Sequence, residues 1–278
     1  MQWAEKAIDQ ILYLHFRWVY NTRIRDLMPD TMLNAQPLLL NDCNLKTDQI
    51  DIWCYPLTME DPNAISLLST AEQTRAKRFH FPRHQRRFIS AHSILRLILA
   101  RYINDTAINL EFTEGKQGKP QLLNVPALEF NLSHSGETAL LAVGQHHPMG
   151  IDLEYYSDRT YRGIGEHSFS IKENQALNKA PKSLTTLVFF NIWSQKEALI
   201  KACGLGLSYP TQQFDVPILP SDCSEVFDSL HQRTWLMRTF MPHVNCCAAL
   251  CYDPSIRTIR YAALTESQLI ELTYDSIR

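Results

Sequence analysis

Three carboxylates and one lysine carry the chemistry this sequence offers. Asp152 and Glu154 stand two residues apart in Gly150-Ile-Asp-Leu-Glu154, and Glu197 and Lys201 stand four apart in Trp193-Ser-Gln-Lys-Glu-Ala-Leu-Ile-Lys201. Alternating apolar and acidic residues describe a strand, with Asp152 and Glu154 on one face and Ile151 and Leu153 on the other. Two carboxylates that close repel, and one is driven toward its neutral form. A hard divalent cation resolves the conflict, because it takes oxygen ligands and bridges to phosphates. Each pair also has a plainer reading. Asp-x-Glu fits an exposed strand face, and Glu197 with Lys201 fits an exposed helix ion pair worth about 0.3–0.5 kcal/mol.

Ser133-His134-Ser135 offers hydroxyls and an imidazole just before Gly136. A hydrolase triad is disfavoured, since no Gly-x-Ser-x-Gly elbow is present and adjacent strand residues point apart. Polar turn residues or phosphate donors fit better. Arg75, Lys77, Arg78, Arg83, Arg86, Arg87, Arg96 and Arg101 form a run without an acidic residue. It reads as a solvated helix face, as a phosphate site built on guanidinium forks, or, with little aromatic interleaving, as a weak nucleic-acid surface.

These groups need elements to hold them. Ile50 to Tyr55 alternates as a strand that Pro56 ends. Ser66 to Phe79 reads as a helix with Ser69 and Glu72 as its capping box, and Arg83 to Ile103 as a second, striped with Phe88, Ala91, Leu95, Ile98, Leu99 and Tyr102. Gly115 to Pro120 is a turn, and Gly136 turns a hairpin into the apolar strand Thr138 to Val143. Ser170 and Glu173 cap a helix over Ile171 to Lys179. The helix bearing Glu197 runs from near Ser183 and stops at Gly204. After it come strands over Trp235 to Phe240, Asn245 to Tyr252 and Arg257 to Ala263. Cys246 and Cys247 point to opposite faces of the middle one.

The expected class is therefore α+β, with no Rossmann or Walker glycine pattern. Residues 1–49 are left as an unassigned N-terminal extension, with an amphipathic helix possible over Ala4 to Arg25. Residues 50–149 form one α+β subdomain and 150–278 a second, the break falling near Pro148. A net charge of −2 gives no global attraction to nucleic acid or membrane. The seven cysteines form no C-x-x-C pair, which fits reduced thiols in the cytoplasm. No apolar run spans a bilayer.

Five motifs occur together in order: Gly118-Lys119-Pro120, Phe130-Asn-Leu-Ser-His-Ser135, Gly150-Ile-Asp-Leu-Glu154, Phe169-Ser-x-x-Glu173, and Trp193-Ser-x-Lys-Glu-Ala-x-x-Lys201 with Gly204-Leu-Gly206. With Leu68-Ser-x-x-Glu72, Arg75, Arg78-Phe79 and Arg87-Phe88, the stretch over about residues 50–252 resembles the Sfp-type 4′-phosphopantetheinyl transferases. That resemblance implies two similar subdomains related by a pseudo-twofold, each with a small, mainly antiparallel sheet and packed helices, and coenzyme A in the cleft between them. It implies transfer of the phosphopantetheine arm of coenzyme A to a serine of an apo acyl, polyketide or peptidyl carrier protein, releasing 3′,5′-ADP. Asp152, Glu154 and Glu197 would hold Mg²⁺ against the pyrophosphate. Lys201 would bind a phosphate oxygen, Ser133 and His134 the 3′-phosphate, and Lys119, Arg75 and Arg87 would lie on the adenosine side. Glu197 would take the serine proton, and Lys201 would offset charge on the phosphoryl oxygens. Glu72 and Gln73 depart from the family by standing where its members can carry positive charge. A monomer, free of nucleic acid and membrane, is expected. The alternative is a non-catalytic module of the same fold that binds coenzyme A or a carrier protein.

Overall fold

The structure is a computed structural model, and it describes residues 35–115, 118–157 and 162–277. The helix expected over Ala4 to Arg25 lies outside them. The first half runs β1 (Gln36–Pro37), β2 (Gln49–Pro56), α1 (Thr70–Ala76), α2 (Pro82–Ile103), β3 (Phe112–Glu114), β4 (Pro120–Leu122), β5 (Leu128–Ser135) and β6 (Thr138–Gln145). The second runs β7 (Gly150–Tyr155), α3 (Arg162–Ser168), α4 (Ile171–Lys179), α5 (Thr185–Cys203), β8 (Ser224–Asp228), β9 (Arg233–Phe240) and β10 (Cys246–Tyr252). Then follow β11 (Thr258–Ala263) and α6 (Glu266–Ile277). Among the described residues no helix is long and apolar enough to cross a membrane.

Two sheets stack face to face, each with a long helix outside. The first has the order β1-β11-β2-β6-β5 and the second, wholly antiparallel, β7-β10-β9-β8. Strand periodicity sorts the side chains into three apolar layers. Trp53, Leu141 and Val143 pack under Ile94, Leu95 and Ile98 of α2. Ile50, Ile52, Leu140 and Ala142 meet Ile151, Leu153, Ala248 and Leu250 between the sheets. Cys247, Ala249 and Cys251 pack with Leu199, Ile200 and Ala202 of α5. Cys246 and Cys247 thus face opposite ways, as the alternation implies, one between the sheets and one beneath α5.

Covering both faces changes the reading of β2. Its alternation suggests one wet face, yet Gln49 through Tyr55 are all buried. Asp51 is tolerated there because Arg260 on β11 and the Tyr102 hydroxyl on α2 donate to it, at 2.7 and 2.6 Å. The helix expected from Ser66 is split: a short 3₁₀ turn covers Ala64–Leu67, and α1 begins only at Thr70. Ser69 is the reason. It closes the capping box with Glu72 in an extended conformation, so no helix can run through it from the preceding turn.

The expected boundaries at 49/50 and 149/150 do not describe the hydrogen bonding. β7 does open the second sheet, but β11 returns to the first and lies parallel to β2. α6 then adds Leu269 and Leu272 to the layer under α2. At the other end, β1 pairs with β11, and Arg260 bonds Asp42. Residues from 35 onward therefore belong to the folded unit, and the segment from Thr258 completes the N-terminal sheet.

Candidate active site

The site forms where β7 meets α5. The even residues of β7, Asp152 and Glu154, face α5, while Ile151 and Leu153 enter the layer between the sheets. α5 is set by its ends and by one contact. Gly204 closes it in the left-handed conformation at φ +69°, the stop expected for this helix. Gly150 lets it come close: a Cβ there would lie 2.0 Å from the Ala198 carbonyl oxygen and 2.5 Å from the Ala202 nitrogen. Gly150→Ala is therefore expected to force the helix off the strand, cost about 1–3 kcal/mol or more in denaturant titrations, and lower any activity of the site.

Lys201 is the hub of the resulting cluster. Its Nζ donates to Asp152 Oδ1 at 2.6 Å, to Ser133 Oγ at 3.0 Å and to the Ile151 carbonyl at 3.2 Å. Its charge partner is thus Asp152 across the interface, in place of Glu197 on its own helix. Ser133 gives its single proton to Asp152 Oδ1 at 3.0 Å. The second oxygen, Asp152 Oδ2, is buried without a hydrogen-bond partner. Glu154 accepts from the Trp193 indole at 3.1 Å and from Ser135 at 3.3 Å. Trp193, stacked on Phe189, therefore ties α5 to the carboxylate strand directly.

The electrostatics are those of crowded acids. Burial, then the Asp152 charge, raises Glu154, against the hydrogen bonds from Trp193 and Ser135. Burial and Asp152 push Glu197 from an ordinary 4.5 to about 7, with Lys201 opposing and Glu154 adding to the rise. The folded state holds more protons than the unfolded chain between those values, so stability falls as pH rises through that window. Glu197→Gln is expected to raise Tm over the wild type at pH 8, and not at pH 4, where both side chains are neutral. Differential scanning calorimetry at the two pH values checks this.

The remaining predicted residues make contacts of their own outside this cluster. His134, on the opposite face of β5 from Ser133, is held below its usual range by burial and by the charges of Lys201, His92 and Arg87. Arg87 forks onto Glu137 with Arg86. Lys119 donates to the Met149 carbonyl at 2.9 Å, just ahead of β7. Arg75 lies over the Phe88 ring at 5.2 Å and lines a surface hollow of about 710 Å³ with Arg78 and Phe79. Glu72 is neutralised in place: burial alone would raise it, but hydrogen bonds from His92, Arg96 and Ser69 hold it at about 2.

A different trio, Cys203, Asp228 and His231, brings its ligand atoms within 4.8 Å of one another. Both Asp228 oxygens are already occupied, by the Tyr209 hydroxyl, the Trp235 indole, the Cys203 thiol, the His231 ring and two backbone N–H groups. It is a buried, satisfied carboxylate. Asp152, with its orphaned oxygen, Glu154 and Glu197 are the chemically better donors for a hard cation, although among the described residues only the Cys203 trio brings three ligand atoms within 4.8 Å of one another, and Glu197 is tied to the other two carboxylates by charge alone.

The family described as 4′-phosphopantetheinyl transferase superfamily matches residues 148–248, and that described as 4′-phosphopantetheinyl transferase, N-terminal, matches residues 53–146. The chain is 32% identical over 213 residues to the 4′-phosphopantetheinyl transferase HetI of Nostoc sp., covering 74% of this chain and 88% of the relative. The chain belongs to the 4′-phosphopantetheinyl transferase superfamily. The Sfp enzyme of Bacillus subtilis is 30% identical over 162 residues, 58% of this chain and 71% of the relative. The mouse L-aminoadipate-semialdehyde dehydrogenase-phosphopantetheinyl transferase is 29% identical over 178 residues, 59% and 58%. The Sfp-type resemblance carried by the motifs is borne out. The N-terminal family match ends and the superfamily match begins within the β6–β7 turn, between the two sheets.

Three residues that stand within the motifs receive no role from the sequence. Asn131 and Ser135 accept from backbone N–H groups of β7. Lys196, next to Glu197, is buried against Glu173 at 2.9 Å. The signal for the first two was present, since Asn131, Ser133 and Ser135 sit at i, i+2 and i+4 and so share a strand face.

Proposed function

We propose that this chain transfers the 4′-phosphopantetheine arm of coenzyme A to a serine hydroxyl of an apo carrier protein, leaving 3′,5′-ADP. The observation that carries the reading is the Lys201–Asp152 bridge from α5 to β7, with Glu154 on the same strand face and Glu197 within electrostatic reach of both carboxylates, in a member of this superfamily. Asp152, Glu154 and Glu197 are the residues that would hold Mg²⁺, and the orphaned Asp152 oxygen supports the assignment. Bound there, the cation supplies polarisation of the pyrophosphate and charge neutralisation for the leaving nucleotide.

The side chains supply the rest. Glu197, poised near neutrality, accepts the proton of the carrier serine. Lys201 already reaches across from α5 to β7, where its ammonium offsets charge developing on phosphoryl oxygens. His134, Arg87 and Arg75 supply the donors for the nucleotide end, and Lys119 approaches from the start of β7. Both walls of the site come from one chain, so a monomer suffices. Buried free thiols at Cys54, Cys246, Cys247 and Cys251 suit the reducing cytoplasm.

The test is incubation with coenzyme A, Mg²⁺ and a panel of apo carriers, read by mass spectrometry for a gain of roughly 340 Da, the arm moved in this phosphoryl transfer. No modified carrier in the panel would count against the reading. Binding of coenzyme A without turnover would favour the non-catalytic module. Chelation with EDTA should stop transfer, and Mg²⁺ should restore it.

A further inference from the structure

β7 is an edge strand, and the way its outer edge is satisfied is unusual. Its outward N–H groups, those of Ile151, Leu153 and Tyr155, meet no backbone carbonyls of the neighbouring β5. They donate to side chains instead: Ile151 N–H to Asn131 Oδ1 at 2.7 Å, Leu153 N–H to Ser133 Oγ at 3.2 Å, and Tyr155 N–H to Ser135 Oγ at 3.1 Å. Each rung joins residues 20 apart, so the two strands run parallel and in register. The ladder is the seam between the two sheets beside the site.

A backbone ladder fixes register whatever the side chains are. This one is written in three residues of one face of β5. Two of them do a second job. Having accepted a backbone N–H, Ser133 and Ser135 turn their own protons onto Asp152 and Glu154. Each hydroxyl thus fixes a carboxylate relative to the strand that bears it. Asn131 is buried, and an apolar residue in its place would leave the Ile151 N–H buried without a partner.

We infer that Asn131 and Ser135 are positioning residues for the transfer site, acting through the register of β7 to set where Asp152 and Glu154 stand. The inference rests on the function proposed above and touches neither substrate directly. It differs from a purely structural role, in which loosening the seam would lower stability and leave turnover alone. Outer partners that orient ligating groups are worth about 10–100-fold in activity or affinity.

The experiment uses the full chain and three variants, Asn131→Leu, Ser135→Ala and Ser135→Thr. Amide hydrogen exchange is followed in the peptide spanning residues 150–155, alongside steady-state transfer from coenzyme A to an apo carrier. Asn131→Leu and Ser135→Ala are expected to speed exchange in that peptide, with α2 and β9 unchanged. They should lower kcat by about 10–100-fold with KM for coenzyme A within about twofold. Ser135→Thr keeps the hydroxyl and should return both readouts toward wild type.

Faster exchange with unchanged kcat would overturn the positioning role and leave a structural seam. A raised KM at constant kcat would overturn it in favour of direct contact with coenzyme A. Unchanged exchange would mean that these side chains do not hold the strand. Ser135 is half-buried, so Ser135→Ala decides the matter should Asn131→Leu fail to fold. If the wild type modifies no carrier, the functional reading fails, while the exchange arm still decides whether the ladder holds β7.

Discussion

Asp152→Asn is expected to lower transfer by more than about 100-fold, because metal-assisted charge stabilisation is worth several kcal/mol and each 1.36 kcal/mol is tenfold in rate. The substitution keeps shape and volume at a buried position. The amide oxygen still accepts from Ser133, and Lys201, which is part-exposed, can turn to solvent. The fold should therefore persist, with Tm close to wild type. What disappears is the negative charge and the free second oxygen, Oδ2. Mg²⁺ binding, followed by titration calorimetry without substrate, should be lost in parallel. Asp152 also contributes to the raised Glu197 carboxyl, so its removal should shift the acidic limb of any residual pH–rate profile downward. A variant with wild-type turnover would show that the three-carboxylate assignment is wrong.

The second large effect lies one residue before the proposed proton acceptor. Lys196 and Glu173 are 2% and 1% exposed and 2.9 Å apart. The ammonium also donates to the Thr211 and Phe214 carbonyls, at 2.6 and 2.9 Å. Glu173 accepts from the Ser170 and Val216 N–H groups, at 2.7 and 2.8 Å. The pair therefore staples α4, α5 and the loop over residues 211–216 together. Lys196→Met leaves a carboxylate buried without its counter-charge, which costs about 3–5 kcal/mol. Glu173→Gln on that background removes the stranded charge, although its single amide oxygen can accept from only one of the two N–H groups, which bond different carboxylate oxygens. The double variant should recover at least about 2 kcal/mol, a coupling typical of residues in one network. Urea denaturation of the four proteins closes the cycle, and additive losses would show that the pair acts as two independent residues.

How much was legible depended on what each segment reports. Capping boxes are local, so Ser69 with Glu72 and Ser170 with Glu173 could be read directly and recur in the structure. Gly136 and Gly204 likewise marked a turn and a helix end through positive φ. The five motifs placed Asp152, Glu154, Glu197 and Lys201 on one seam. Pairing between distant segments has no such local sign. Nothing in Thr258 to Ala263 announces that the strand will lie beside β2, because apolar alternation does not name a partner. The terminal helix was missed for another reason: Thr265 and Gln268 form a capping box that the apparent run of strands overshadowed. The buried Lys196 was also hidden, since a lysine on a helix usually faces water.

The return of β11 has a consequence for how the chain comes to be folded. β2 emerges early in synthesis, yet its parallel neighbour β11 follows it by about 200 residues and is made only after the whole second sheet. The first sheet cannot be finished while its own half alone is outside the ribosome. Contacts that distant in sequence slow the search for the native state and leave a hydrophobic strand edge waiting for its partner. A break at residue 149 should consequently yield an N-terminal piece prone to aggregate instead of an autonomous half. Co-expression of the two pieces should succeed only where the later one, bearing Thr258 to Ala263, arrives in time to close that edge.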